Sequence, residues 1–312
     1  MGEGNVPRGS LVPLVTPFRG GEVDYDRFAG LIEWQITSGS HGVVVAGTTG
    51  EPASLTLEER ERLIDVAVGT VGGRVPVVAG TGTNNLGETL RLTRYAERAG
   101  VSAALVVVPY YTRPSQEGLY QYFRRIAEAV TLPIILYNIP GRAAANLEVQ
   151  TTARLAADLP NVVGVKEANK DFDHITRLFH RCGRTLAIYS GVEAFCFPML
   201  ALGGAGHISA TGNVMPREVA RLYELVQEEQ WEEARRLHDV ILPVSEALFV
   251  DTNPVPVKTI LGWMGRIEPD VRPPLAPLAP ENERKVRMVA EQSGLLQARS
   301  KTSSGAREGG SK

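Results

Sequence analysis

The chain has 312 residues, 43% of them hydrophobic, and a formal net charge of -2. That length admits two modest domains or one α/β barrel of about 250 residues, and the near-neutral charge gives no electrostatic reason for nucleic acid or an anionic membrane as partner. Its two cysteines, Cys182 and Cys196, show no metal-ligand spacing, and a chain of this size needs no disulfide staple, so both are read as reduced.

The opening residues lack the basic start and apolar core of a signal peptide, and no run reaches the ~20 apolar residues of a membrane span. A soluble, cytoplasmic protein is expected. After an N-terminal segment at 1–9, SLVPLVTPF at 10–18 reads as a strand, and Phe28, Leu31, Ile32 and Ile36 recur at helical spacing across 25–38. HGVVVAGTTGEP at 41–52 is β-branched up to a Gly/Thr turn, and a Thr56/Glu59 capping box opens a helix carrying Leu63, Ile64, Val66 and Ala67. VPVVAGTG at 75–82 precedes a helix over 86–99 that stops at Gly100, and SAALVVVPYY at 102–111 precedes one over 116–130. PIILYNIPGR at 133–142 and NVVGVKE at 161–167 lead into helices over 147–158 and 172–181. TLAIYSG at 185–191 and GAGHISATGN at 204–213 lead into helices over 194–202 and 216–228.

Eight βα units result, their strand ends near 18, 48, 80, 109, 138, 166, 190 and 210, roughly 20 to 32 residues apart. The pattern predicts an α/β fold, a (β/α)8 TIM barrel over residues 10–230 that forms the catalytic unit. An open doubly wound sheet shares the alternation but usually carries a glycine-rich phosphate turn at an early helix, which this sequence lacks. Residues 231–250, 254–264 and 280–293 read as three further helices, a C-terminal extension over 231–296 that serves for packing, with Leu237, Val240, Ile241 and Val244 as an apolar stripe. PDVRPPLAPLAP at 269–280 reads as a stiff connector, and residues 297–312, rich in Ser, Gly, Lys and Arg, as a disordered tail.

In such a barrel the chemistry lies at the C-terminal ends of the strands. Polar groups gather there: Thr48 and Thr49 at the second, Tyr110 and Tyr111 at the fourth, Tyr137 and Asn138 at the fifth, Lys166 and Glu167 at the sixth, Ser190 and Gly191 at the seventh. Lys166 closes an apolar run, where desolvation penalises a charged amine and leaves a fraction able to attack a ketone. Each residue alone also has a plain reading: a lysine that snorkels into water, a threonine turn, tyrosines as apolar bulk, and Arg142 as a solvated loop charge. Jointly they place several hydroxyls around one amine, and Tyr137 on the adjacent strand supplies the acid/base group that imine formation needs. The five histidines show no metal-binding spacing.

The segments GTTGEP (47–52), PYYTRPSQEGLYQYF (109–123), YNIPGR (137–142), GVKEA (164–168) and NPVPVK (253–258) resemble, in order and spacing, the dihydrodipicolinate synthase and N-acetylneuraminate lyase family of pyruvate-dependent class I aldolases. The resemblance spans residues 10–296. It implies that Lys166 forms a Schiff base with pyruvate, that Tyr137 donates and accepts protons, and that Thr48 and Tyr111 complete a hydroxyl relay. Tyr111 would reach in from a neighbouring subunit of a homotetramer built as a dimer of dimers. Thr49 and Ile208 would hold pyruvate, Gly191 would line the pocket of a small aldehyde substrate, and Arg142 would bind that substrate's carboxylate with its bidentate fork. The reaction implied is a lyase-type condensation of pyruvate with L-aspartate 4-semialdehyde to 4-hydroxy-tetrahydrodipicolinate, a step of lysine and diaminopimelate biosynthesis, with no metal or cofactor beyond the imine.

Val192 stands where an aspartate is common and Ala143 where a threonine is common. A relative acting through the same imine on a sugar acid or another keto acid, as aldolase, lyase or dehydratase, therefore stays open, and beside it a catalytically silent barrel that binds a keto acid. A lysine feedback pattern is matched in part: Asn84, Glu88 and Tyr110 fit it, while Leu57 and Arg60 stand where histidines are common.

Overall fold

The computed structural model describes residues 6–296. The expected tail at 297–312 and most of the expected N-terminal segment lie outside the described residues. Eight strands, β1 (Gly9–Pro13), β2 (Gly42–Val45), β3 (Val77–Gly80), β4 (Ala103–Val107), β5 (Ile134–Asn138), β6 (Val162–Glu167), β7 (Ala187–Ser190) and β8 (Gly206–His207), pair in sequence order, all parallel. β8 returns to β1 through Gly9↔Gly206 and Ser10↔His207, so the sheet closes into a barrel. The helices α1 (Tyr25–Thr37), α2 (Leu57–Val71), α3 (Leu86–Ala99), α4 (Gln116–Ala127), α5 (Val149–Asp158), α6 (Phe172–Cys182), α7 (Cys196–Ala201) and α8 (Pro216–Gln227) alternate with the strands. The expected (β/α)8 barrel is the fold found.

Parallel strands covered on both faces need continuous apolar runs, and GVVV of β2 and VVAG of β3 are buried along their whole length. Their two faces serve different cores. Val44, Leu105, Ile135, Tyr137 and Tyr189 fill the barrel interior, whereas Val43, Val45, Val106, Leu136 and Ile188 pack outward. This period of two sets the aim of every residue at the mouth. Lys166 follows the outward Val165 and turns in; Asn138 and Glu167, one step past Tyr137 and Lys166, turn out.

The capping box expected at α2 is present, with Glu59 N donating to Thr56 Oγ1 at 3.1 Å and Thr56 N to Glu59 Oε2 at 2.9 Å; such a cap stabilises by about 1 kcal/mol. Several strands are shorter than expected. β1 stops at Pro13, and Phe18–Arg19 pairs antiparallel with Glu22–Val23 as a small hairpin beyond it. β8 keeps two residues before the chain leaves the ladder for a turn at Ala210–Asn213. Thr48 and Thr49 accordingly sit in a 3-10 turn past their strand, and Tyr110 and Tyr111 in a loop past theirs.

Three helices follow, α9 (Trp231–Ala247), α10 (Val255–Trp263) and α11 (Pro280–Gln292). Val244, Val257, Ile260 and Val286 join Val219 and Leu222 of α8 in one apolar cluster. Packing was the role expected for this extension, but it also reaches the barrel mouth. Lys258 Nζ lies 2.6 Å from Glu51 Oε1 with both side chains buried, and Asn253 Nδ2 donates to Thr49 Oγ1 at 3.0 Å. Arg272, in the proline-rich connector, bonds Glu59 at 2.7 Å and the Ser54 carbonyl at 2.9 Å.

Candidate active site

The β5–β6 register places Tyr137 opposite Lys166, both facing inward. Lys166 is 5% exposed and Tyr137 4%. Lys166 Nζ lies 4.3 Å from the centroid of the Tyr137 ring, within reach of a cation–π contact. Among the described residues the buried ion pairs are Glu167–His174 and Glu51–Lys258, and neither includes Lys166. Thr48 Oγ1 donates to Tyr137 Oη over a long 3.4 Å, which links a second hydroxyl to the pair.

A cavity of about 290 Å³ opens above the pair, lined by Thr48, Tyr110, Tyr137, Arg142 and Asn253 among others. Arg142 sits in a single helical turn, Pro140–Ala143, just after β5, and its Nη2 donates to the Asn253 carbonyl at 3.2 Å. Of the two departures from the synthase pattern, Ala143 stands on this wall and Val192 does not. Tyr110 lines the cavity too, whereas Asn84 and Glu88 of the feedback pattern are exposed outside it.

Lys166, Thr49, Gly191 and Ile208 are not among the residues lining this cavity. Thr49 is 3% exposed and held by Asn253. The Gly191 amide donates to the Glu167 carbonyl at 2.7 Å, and a Cβ on Gly191 would stand 2.9 Å from Lys166 Cε. A glycine is therefore required for the lysine stem to lie where it does. Ile208 is buried, its amide committed to the Ser190 carbonyl at 2.9 Å.

Of the strand-end hydroxyls expected around Lys166, Ser190 and Tyr111 stand apart from it. Ser190 follows the inward Tyr189 and so turns out, its Oγ donating to the Val192 carbonyl at 2.9 Å. Tyr111 is 87% exposed and held at φ +74° in the left-handed region.

Sequence reasoning missed two supports. Glu193 receives hydrogen bonds from Ser209 Oγ and from Ala210 N, the latter at 2.7 Å, and so staples the loop after β7 to the loop after β8. Burial raises its pKa, while these two donors and the Lys166 charge oppose the rise. On the outer face, Asn138 Nδ2 donates to both Glu167 oxygens at 3.0 and 3.1 Å, Asn169 N donates at 2.7 Å, and His174 Nε2 stands 3.1 Å from Glu167. The bond to Glu167 raises the His174 pKa. The signal was in the alternation: the residues after Tyr137 and Lys166 brace the same two strand ends from outside.

A closed (β/α)8 barrel with a buried lysine and a tyrosine facing each other at its mouth has the architecture of an enzyme that works at the C-terminal ends of its strands. The family model described as the dihydrodipicolinate synthetase family matches residues 6–293. The chain is 49% identical over 290 residues to a 4-hydroxy-tetrahydrodipicolinate synthase of Thermus thermophilus, across 93% of this chain and 97% of that protein. It is 45% identical to the synthase of Nitratidesulfovibrio vulgaris strain Miyazaki F, across 93% and 99%. The crystal structure of dihydrodipicolinate synthase from Aquifex aeolicus matches with a TM-score of 0.91 at 42% identity, covering 93% of this chain and 100% of that one. The chain belongs to the dihydrodipicolinate synthetase family.

Proposed function

We propose that this protein is a lyase that condenses pyruvate with L-aspartate 4-semialdehyde to 4-hydroxy-tetrahydrodipicolinate, through a Schiff base on Lys166. The observation that carries the reading is the inward-facing Tyr137–Lys166 pair, Nζ 4.3 Å from the ring, below a cavity that also presents Arg142. The relatives named as synthases of this product support the choice of aldehyde.

Lys166 Nζ adds to the pyruvate C2 carbonyl, and the carbinolamine loses water to give the protonated imine. Tyr137 takes a methyl proton while the iminium nitrogen accepts the electron pair, so the step calls for no metal or organic cofactor. The enamine carbon bonds to the aldehyde carbon, whose oxygen takes up a proton. The amino group of the former semialdehyde then adds to C2 and expels Lys166, closing the ring. Thr48 passes protons from Tyr137, and Tyr111, exposed on its own subunit, completes the relay in a neighbour within a cytoplasmic homotetramer built as a dimer of dimers. Thr49 and Ile208 hold pyruvate, Gly191 adjoins the aldehyde, and Arg142 receives its carboxylate. Residues 10–230 form the catalytic unit, and 231–296 the extension that closes over it.

Steady-state turnover with pyruvate paired in turn with aspartate semialdehyde and with sugar-acid substrates tests the reading. Turnover with the semialdehyde and none with N-acetylneuraminate is expected. Turnover confined to sugar acids contradicts it.

A further inference from the structure

Arg142 lies in a segment that begins at Ile139, just past β5, and is closed by one side chain. Asn138, the last residue of β5 and fully buried, accepts the Leu147 amide on Oδ1 at 2.9 Å and donates from Nδ2 to Asn146 Oδ1 at 2.9 Å. Between these ends the chain makes the single turn Pro140–Ala143, with the Arg142 and Ala143 amides both on the Ile139 carbonyl, and passes through left-handed backbone at Ala144, φ +53°. Residues 139–147 thus form a small closed loop whose clasp is the Asn138 amide.

An amide clasp holds in one orientation only. Turned over, it would present Nδ2 to the Leu147 N–H, donor against donor. Glu167, the last residue of β6 and 1% exposed, prevents this: both its oxygens accept from Asn138 Nδ2, at 3.0 and 3.1 Å, and a carboxylate has no hydrogen to offer the amide oxygen. Glu167 is aimed in turn by the Asn169 amide at 2.7 Å and by His174 Nε2 of α6 at 3.1 Å, while Asn169 Nδ2 donates to Asn146 Oδ1 at 3.1 Å. Glu167 and Asn138 lie outside the cavity wall on which Arg142 stands, so they reach a substrate only through that loop.

We infer that Glu167 is a positioning residue for the second substrate: by fixing the Asn138 amide it closes the 139–147 loop and so sets Arg142 for the aldehyde's carboxylate, with His174 aiming Glu167 from α6. The device serves the aldehyde step rather than imine formation at Lys166, and it rests on the proposed reaction for the carboxylate that Arg142 receives.

Glu167→Gln keeps the shape and brings a donor that lets the Asn138 amide turn over. Hydrogen exchange of the full chain, read residue by residue, should show the Leu147 amide exchanging at least about tenfold faster than in wild type, while the Ala168 amide, bonded to the Asn138 main-chain carbonyl at 2.9 Å, keeps its rate. In steady state KM for aspartate semialdehyde should rise about tenfold, with KM for pyruvate and the rate of borohydride-trapped imine formation within about twofold of wild type. An unchanged Leu147 rate overturns the clasp. Imine formation slowed as much as KM rises overturns the assignment to the aldehyde step and leaves Glu167 a brace of the strand end. If Glu167→Gln does not fold, His174→Leu removes one donor that aims the carboxylate and should give the same pattern in weaker form, restored by His174→Gln, whose amide can donate again; wild-type exchange at Leu147 and wild-type KM in His174→Leu then overturn the proposal. Where wild type does not turn over the semialdehyde, the proposed reaction fails, and exchange at Leu147 still decides whether Glu167 sets the loop.

Discussion

Lys166 and Lys258 are alike in burial and in lying over an aromatic ring, with Nζ 4.3 Å from the Tyr137 centroid in one and 4.1 Å from that of Phe18 in the other. They differ in what faces the amine. Lys258 is clamped 2.6 Å from Glu51; burial lowers its pKa, and the carboxylate opposes that fall without cancelling it. Lys166 has a tyrosine ring and, within reach of its charge, Glu193, a carboxylate already engaged by Ser209 and Ala210. An ammonium locked to a carboxylate keeps its proton and offers no lone pair, whereas an amine without that lock can add to a carbonyl. Burial alone does not make a lysine a nucleophile. The partner decides.

The contrast is broken most severely at Lys166 itself. Lys166→Ala should lower kcat by at least roughly 10⁴-fold while the melting temperature holds, and turnover within tenfold of wild type would refute the assignment. Tyr137→Phe keeps the ring under the amine and removes only the hydroxyl; single-turnover kinetics should show imine formation slowed by about 10²- to 10⁴-fold, with the fold intact by circular dichroism. Lys258→Met should act on stability instead, because it leaves Glu51 buried without a counter-charge: urea unfolding should show a loss of about 3–5 kcal/mol. The double exchange Lys258→Met with Glu51→Leu should recover most of that loss, and a double variant as unstable as the single one would argue against the pairing as its cause.

A third buried base sharpens the comparison by having no charged partner. His207 is fully buried on β8, and burial, with a smaller contribution from His41, pushes it down to about 4. In the unfolded chain it titrates near its ordinary value, so between that value and about 4 the unfolded state binds the extra proton. Its contribution to stability is present above the ordinary value and is lost as pH falls toward 4, by about 3 kcal/mol in all. Urea midpoints at pH 7 and pH 4.5 should show this loss in wild type and a smaller one in His207→Gln; equal losses would show that the group does not titrate in this window.

The barrel was legible because its strands are buried on both faces and read as unbroken apolar runs, and because helices such as α2 and α3 carry their caps at Thr56 and Gly100. Lys166 and Tyr137 were legible from their places at strand ends. The aim of Ser190 was also in the sequence, since the alternation that turns Tyr189 inward turns Ser190 outward. The left-handed backbone at Tyr111, φ +74°, was not, because a loop conformation sets it rather than any periodicity. Least legible were Asn253–Thr49 and Lys258–Glu51, contacts that join residues 204 and 207 positions apart. Such contacts arise only when the extension folds back over the barrel.

The central claim is that one of two buried lysines is the nucleophile. Incubating the protein with pyruvate and borohydride, then locating the mass increment by peptide mapping, tests it directly. A single adduct on Lys166, with Lys258 unmodified, is the predicted result. An adduct on Lys258, or none on Lys166, would contradict the account.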